Sequence, residues 1–288
     1  MTIERFNQQE EQTVREQLFT CCGSNRWVDE LMKHYPFASE KDLLQHTLSA
    51  WYDTCNSDDW LEAFSQHPKI GDIETVEEKF ASTKHLAGAE QAGVATASSS
   101  LIEALAKANK SYHVKYRFTF IVCATGKSGD EMLRMMDDRL RNTYKDELHI
   151  AANEQMKITI IRLKKLLYEA DWSFLPVSQI TTHVLDTSIG KPARNITIAL
   201  QQEQNNSFHT IAQGVTNHDG RIADLLPPGR IVEGGNYKMI FETADYHQSQ
   251  QVQSFYPRVE IQFSVFDGQH YHVPLLLNPY GYSTYRGS

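Results

Sequence analysis

Proline and glycine are segregated along the chain, and this segregation limits the fold more than any motif does. Residues 1–170 hold only two of the nine prolines, Pro36 and Pro68. Residues 171–288 hold the other seven, together with nine of the fifteen glycines. Proline removes a backbone donor and glycine tolerates left-handed turns, so dense use of both implies short strands joined by many turns. Their scarcity permits long helices. A chain of 288 residues has room for two domains at roughly 100–200 residues each.

Hydrophobic periodicity supports the division. In the first part Glu10–Phe19 is amphipathic, and Ser39-Glu-Lys-Asp has the N-cap and acidic first turn of a helix start. Leu101–Lys110 and Glu131–Arg141 repeat apolar residues at three and four. A last helix, about Asp146 to Tyr168, turns Ile150, Met156, Ile160, Leu163 and Leu167 toward one core. The expectation is an all-α domain of about six to eight helices over residues 1–169. The second part alternates with period two. Ile180–Asp186, Asn195–Leu200, Tyr237–Glu242, Val259–Val265 and His272–Leu277 read as strands, separated by turn signals such as Asp219-Gly220, Pro227-Pro-Gly and Gly234-Gly235. About seven or eight short strands over roughly 110 residues suit an all-β sandwich. Its expected span is 179–288, after a linker at 170–178.

Composition narrows the partners. Net charge is −8, divided as −5 and −3 between the two parts, and neither part carries a basic stripe. That disfavours nucleic acid and anionic membranes. No apolar run approaches the ~18 residues of a membrane span. The charged, amide-rich start Met1-Thr-Ile-Glu-Arg-Phe does not read as a secretory signal. The four cysteines have neither metal-ligand spacing nor a disulfide framework, which fits a reducing, cytoplasmic setting.

Three features of the second part stand out. His183 lies within a strand, where a polar side chain needs a partner or a purpose. His270-Tyr-His272 places two imidazoles on one face, because strand side chains alternate. The chain closes on an aromatic and polar run, Tyr282-Ser-Thr-Tyr-Arg-Gly-Ser288. The histidines read as structural residues, as zinc ligands, or as neutral general bases acting on water beside an arginine. No nearby cysteine or acidic pair supports the zinc reading.

With Asp219-Gly-Arg221-Ile and the run His270-Tyr-His-Val-Pro-Leu-Leu-Leu-Asn-Pro-Tyr-Gly-Tyr-Ser-Thr-Tyr-Arg-Gly-Ser288, these residues resemble the 5-hydroxyisourate hydrolase family, transthyretin-related enzymes of urate breakdown. The resemblance covers about residues 178–288. It implies a transthyretin-like β-sandwich that assembles as a homotetramer, with active sites in the channel between paired subunits. It also implies catalytic roles for His183, Arg221 and His272, and a tail of Tyr285, Arg286 and Ser288 that closes the site. His270 stays outside the expected catalytic set.

In the first part His67-Pro68 follows an amphipathic segment, Asp58–Gln66, so His67 falls at a helix end. There it reads either as a cap meeting the helix dipole or as an acid–base group. Glu90-Gln91 lies in a stretch of small residues. His67-Pro-Lys-Ile-Gly, Glu90-Gln91-Ala-Gly93, Phe120-Ile-Val-Cys-Ala-Thr-Gly-Lys-Ser128 and Lys157-Ile-Thr-Ile-Ile-Arg162-Leu together resemble the 2-oxo-4-hydroxy-4-carboxy-5-ureidoimidazoline (OHCU) decarboxylase family, in order, across about residues 1–169. The resemblance implies His67, Glu90 and Arg162 as catalytic residues. It implies substrate contacts from Pro68, Ala87, Gln91 and the backbone of Phe120, Ile121, Val122, Cys123 and Ala124. Ala87 departs from the pattern, which often carries serine there. The substrate of this family is the product of the other, so the two resemblances support each other. They imply a cofactor-free bifunctional enzyme that takes 5-hydroxyisourate to (S)-allantoin. The rival readings are a transthyretin-like carrier for an apolar ligand, and one active half joined to an assembly scaffold.

Overall fold

A computed structural model of the chain describes residues 1–67, 99–125 and 127–287. It divides into two compact units, Met1–Leu175 and Pro176–Ser288.

The first unit is helical. Its described helices are α1 (Ile3–Phe6), α2 (Glu11–Cys22), α3 (Asn25–Met32), α4 (Glu40–Ser49), α5 (Ser57–Ser65), α6 (Ser99–Tyr116), α7 (Gly129–Arg139) and α8 (Tyr144–Leu166). Several starts follow from local chemistry. Ser24, Ser39 and Thr143 each accept a backbone amide of the first turn, and Asn56 and Ser128 form full capping boxes with Asp59 and Glu131. Gly23 ends α2 in the left-handed region at φ 85°.

The long helix α8 organises this unit. Its apolar residues Ile150, Met156, Ile160 and Leu163 are buried, but so are Glu147, Asn153, Glu154, Gln155, Lys157 and Thr159. The apolar stripe that marks the helix in the sequence is thus only part of its buried surface. Its buried polar groups find partners instead. Glu147 accepts from Arg139 Nε at 2.7 Å and from the Tyr112 hydroxyl. Arg139 also donates to the Ile121 carbonyl at 2.7 Å and lies over the Phe120 ring. Glu154 accepts from the Cys123 amide at 2.7 Å and pairs with Lys157 at 2.5 Å. The segment Phe120–Ala124, buried yet neither helix nor ladder, is thus held by charged groups of α7 and α8.

The second unit is a two-sheet sandwich. One sheet runs β4 (Ser207–Val215), β3 (Thr197–Gln204), β6 (Gly235–Glu242), β7 (Arg258–Val265), all antiparallel. The other centres on β1 (Ile180–Asp186). One edge of β1 pairs antiparallel with β5 (Arg221–Ile222) and β2 (Lys191–Pro192). The other pairs parallel with β8 (Tyr271–His272) and β9 (Leu275–Asn278), and β10 (Gly281–Thr284) folds back on β9. Core residues of both sheets, including Val184, Leu200, Phe241 and Leu277, are fully buried. A short helix α9 (Ala244–Ser249) joins β6 to β7. The expected strand His272–Leu277 is interrupted at Val273-Pro274, since proline has no amide for the ladder. The register carries on across the break.

The Arg139–Glu147 pair supplies a stability test. Both side chains are about 1% exposed or less, and removing one partner of a buried pair strands a charge at a cost of about 3–5 kcal/mol. Glu147→Leu should lower the stability of the helical unit by that amount, and Arg139→Met with Glu147→Leu should recover much of it. All four tryptophans lie in this unit, so urea unfolding followed by tryptophan fluorescence reads it directly.

Candidate active sites

In the sandwich unit the site grows from strand pairing. Residues Ile180, Thr182, Val184 and Asp186 face inward, which leaves Thr181 and His183 on the opposite face of β1. Register sets Arg221 beside His183 and His272 beside Thr181. Thr181, Arg221 and His272, taken from three strands, line a cavity of about 420 Å³ together with His270, Tyr285 and Gly287 among others; His183 pairs with Arg221 but is not among the lining residues. The Thr181 hydroxyl lies 2.9 Å from His270 Nε2 and 2.9 Å from His272 Nδ1.

Burial and charge favour the neutral form of His183 and His272. Burial lowers the pKa of His272 below its ordinary 6.5, and Arg221, His270 and His183 lower it further. Burial lowers that of His183 as well, with Arg221 next, against an opposing contact to the Asp219 backbone. A guanidinium is a permanent cation with a planar donor fork. It therefore disfavours imidazolium while offering hydrogen bonds to ligand oxygens. Among the described residues no group of three or more His, Cys, Asp or Glu is placed to hold a metal ion, these histidines included.

The chain end reaches the same cavity. After β10 pairs with β9, Gly287 donates its amide to the His272 carbonyl at 2.9 Å. A Cβ at Gly287 would stand 2.5 Å from His272 Cδ2, so only glycine fits against the imidazole. Tyr285 lines the cavity, whereas the Arg286 guanidinium lies over the Tyr271 ring at 5.1 Å.

In the helical unit His67 follows the last turn of α5, its amide bonded to the Phe64 carbonyl at 3.2 Å. Its Nε2 meets Gln155 Oε1 at 2.7 Å. The Gln155 amide nitrogen donates to the Cys22 carbonyl at 3.1 Å and to the Thr159 hydroxyl at 3.3 Å. With both amide hydrogens placed, Oε1 must face the histidine, so His67 Nε2 carries the proton and Nδ1 the lone pair. Burial, then Arg162, lowers the pKa of His67 to about 3, against the opposing Gln155 bond. Arg162 lies two turns beyond Gln155 on α8, and its Nη1 approaches the Thr20 and Cys21 carbonyls at 3.5 and 3.4 Å. Within Phe120–Ala124 the Cys123 amide is engaged by Glu154.

The structure thus joins Arg221, His272 and Tyr285 around one cavity, with His183 paired to Arg221, and sets His67 near Arg162 in the other unit. Pro68, Ala87, Glu90, Gln91 and Ser288 lie outside the described residues. Sequence reasoning missed Thr181, Gly287 and Gln155. Thr181 had a signal, standing two residues before His183 on the same strand face. Gln155 had a weaker one, seven residues before Arg162 on one helical face.

A family model described as OHCU decarboxylase matches residues 7–164, and one described as HIUase/Transthyretin family matches residues 180–287. The chain is 32% identical to "Uric acid degradation bifunctional protein TTL" of Arabidopsis thaliana, covering 93% of this chain and 96% of that protein. It is 41% identical to a 5-hydroxyisourate hydrolase of Salmonella dublin, over 38% of this chain and 80% of the relative. It is 44% identical to 5-hydroxyisourate hydrolase 2 of Rhizobium meliloti, over 38% of this chain and 96% of the relative. Two modules matched in order, and a relative aligned across nearly its whole length, place this chain in the family of bifunctional uric acid degradation proteins, an OHCU decarboxylase module followed by an HIUase/transthyretin module.

Proposed function

We infer that the chain hydrolyses 5-hydroxyisourate in its sandwich unit and decarboxylates the resulting OHCU to (S)-allantoin in its helical unit. The observation that carries the reading is the cluster of imidazoles around Arg221, set in a cavity that the chain end reaches. Such a polar lining suits catalysis on an oxygen-rich ring better than carriage of an apolar ligand.

Hydrolysis needs water to lose a proton as it attacks an acyl carbon, and the carbonyl oxygen to gain charge. His183 and His272, held neutral, supply the base and return a proton to the leaving ring nitrogen. Arg221 holds the developing oxyanion. Tyr285, Arg286 and Ser288 form the closing tail. The functional unit is a homotetramer assembled through the sandwich.

In the helical unit His67 presents its Nδ1 lone pair to the substrate, fixed in that tautomer by Gln155. Loss of carbon dioxide leaves an electron pair that the ring imine absorbs, so side chains suffice and no cofactor is required. His67 takes the proton of the 4-hydroxyl region on Nδ1 and then delivers it to one face of the neighbouring carbon. Glu90 and Gln91 act beside it, Arg162 anchors anionic oxygens, and Pro68, Ala87 and the Phe120–Ala124 backbone complete the pocket. Among the described residues no helix is long and apolar enough to cross a membrane; the compartment proposed is the cytoplasm.

Three outcomes test this. His67→Ala should slow decarboxylation by about 10²-fold or more and leave ultraviolet decay of 5-hydroxyisourate unchanged, because the two sites share no residue. Circular dichroism of the allantoin formed reads the first effect, and full stereoselective turnover in the variant would remove His67 from the mechanism. Gly287→Ala must push the His272 ring or the tail aside. Misplacement of about 1 Å costs roughly 10²-fold, so hydrolysis should fall on that scale while decarboxylation of supplied OHCU holds. In imidazole NMR titrations His183 and His272 should titrate below 6.5, and both midpoints should rise in Arg221→Gln. Unmoved midpoints would show that the arginine does not set their charge.

A further inference from the structure

Ring-opening hydrolysis at an acyl carbon releases a proton. Water forms the new C–O bond and the C–N bond breaks. One hydrogen of the water goes to the leaving nitrogen, and the other stays on a new carboxylic acid that ionises at neutral pH. Each turnover therefore leaves one proton in the cavity, beside a guanidinium and imidazoles that all resist positive charge. The site needs an exit for it.

We propose that Thr181 and His270 form that exit, a proton relay running from His272 Nδ1 through the Thr181 hydroxyl to His270 Nε2. This rests on the hydrolase reading above and adds two residues to it. A hydroxyl has one hydrogen to donate and lone pairs to accept. Placed 2.9 Å from two facing ring nitrogens, it is satisfied when one nitrogen carries a proton and the other is bare. The two imidazoles are thereby coupled in tautomer. Their rings lie nearly parallel, 19° apart with centroids at 6.4 Å, too far for a direct bond. Thr181 itself is only 9% exposed, while His270 is exposed to solvent. All three side chains line the cavity, and the order is half-buried His272, buried hydroxyl, exposed His270.

The step balances without any further reactant. His272 takes the released proton at Nε2 and gives its Nδ1 proton to the Thr181 oxygen. Thr181 gives its own hydrogen to His270 Nε2, and His270 gives its Nδ1 proton to bulk water. One proton crosses and no electron is gained or lost. Rotation of the hydroxyl, and proton exchange with water at both His270 and His272 between turnovers, reset the chain. Arg221 on β5 and the neutral His183 on β1 disfavour charge on His272, and the permanent charge of Arg221 drives the proton outward along this path.

The test uses the full chain and fresh 5-hydroxyisourate. In dilute buffer Thr181→Val and His270→Gln should each lower kcat by roughly 10²-fold, the lower end of what positioned proton transfer contributes, with KM little changed. Added imidazole should restore much of the rate, because a diffusing base can carry the proton instead. Thr181→Ser should restore most of what valine loses. A loss that imidazole does not rescue, or no loss in either variant, overturns the relay. A wild-type chain that fails to speed hydrolysis overturns the function reading. The relay has its own readout in that case: nitrogen-15 NMR should find one of His272 Nδ1 and His270 Nε2 protonated and the other bare, with the pattern lost in Thr181→Val. Both protonated, or both bare, overturns it whatever the turnover.

Discussion

A polar side chain buried without a partner costs several kcal/mol, and a buried charge costs more. Helix α8 buries six polar or charged residues along its length, so the rest of the helical unit is arranged to meet them. Glu147 requires Arg139, and Arg139 in turn fixes the Ile121 carbonyl. Glu154 requires Lys157 and the Cys123 amide. Gln155 requires Cys22, Thr159 and His67. These demands explain why an irregular segment such as Phe120–Ala124 can be buried at all: charged groups of the helices take up backbone groups that no ladder satisfies. They also explain the placing of His67. Glu154 and Gln155 are successive residues, about 100° apart around the helix, so one element carries the Cys123 segment and the histidine on neighbouring faces.

In the sandwich unit the comparable element is β1. It is paired on both edges by four short strands, none of them long enough to be stable alone. Each is held by β1 and in turn presents one or two residues to its outer face. Arg221 comes from one edge, His272 from the other, and His183 and Thr181 from β1 itself. Spacing of about 4.8 Å between strands sets the separation of the functional groups. The chain end is tied into the same arrangement through Gly287, whose missing side chain leaves room for the His272 ring.

Much of this was legible because it rests on short-range rules. The strand Ile180–Asp186 was readable to the residue, since it is rich in β-branched residues and turn signals follow it, although both its faces mix polar and apolar side chains. The division into helical and strand-rich parts followed from proline and glycine alone. What escaped notice rests on long-range contact. Strand β4 mixes polar and apolar residues on both faces and draws its order from pairing with β3 along its whole length. Its turn, Asn205-Asn206, adopts φ of 51° and 60°, a left-handed pair that asparagine tolerates. That signal was present and went unread. Strand β10 looked like a polar tail because its side chains face solvent and its partner is β9. Gln155 and Thr181 were the hardest. An amide or a hydroxyl has no characteristic spacing from a histidine 88 or 91 residues away, and only the fold brings them within reach.

The two units share no architecture, yet each sets an arginine near a histidine, and one physical reason accounts for both. A histidine meant to accept a proton must be neutral when substrate arrives, and an ordinary imidazole is partly charged just below neutral pH. Burial alone would hold it neutral, but a wholly apolar pocket offers nothing to a ligand rich in carbonyl and carboxylate oxygens. A guanidinium solves both problems, because it cannot be deprotonated and its charge acts on imidazole and ligand with opposite sign. Arg162 lowers the pKa of His67, and Arg221 those of His183 and His272. Lysine would supply the charge without the planar fork, and could itself lose its proton in the same surroundings. The pairing of arginine with histidine therefore follows from the chemistry the sites must do, whether a helix or a strand carries them.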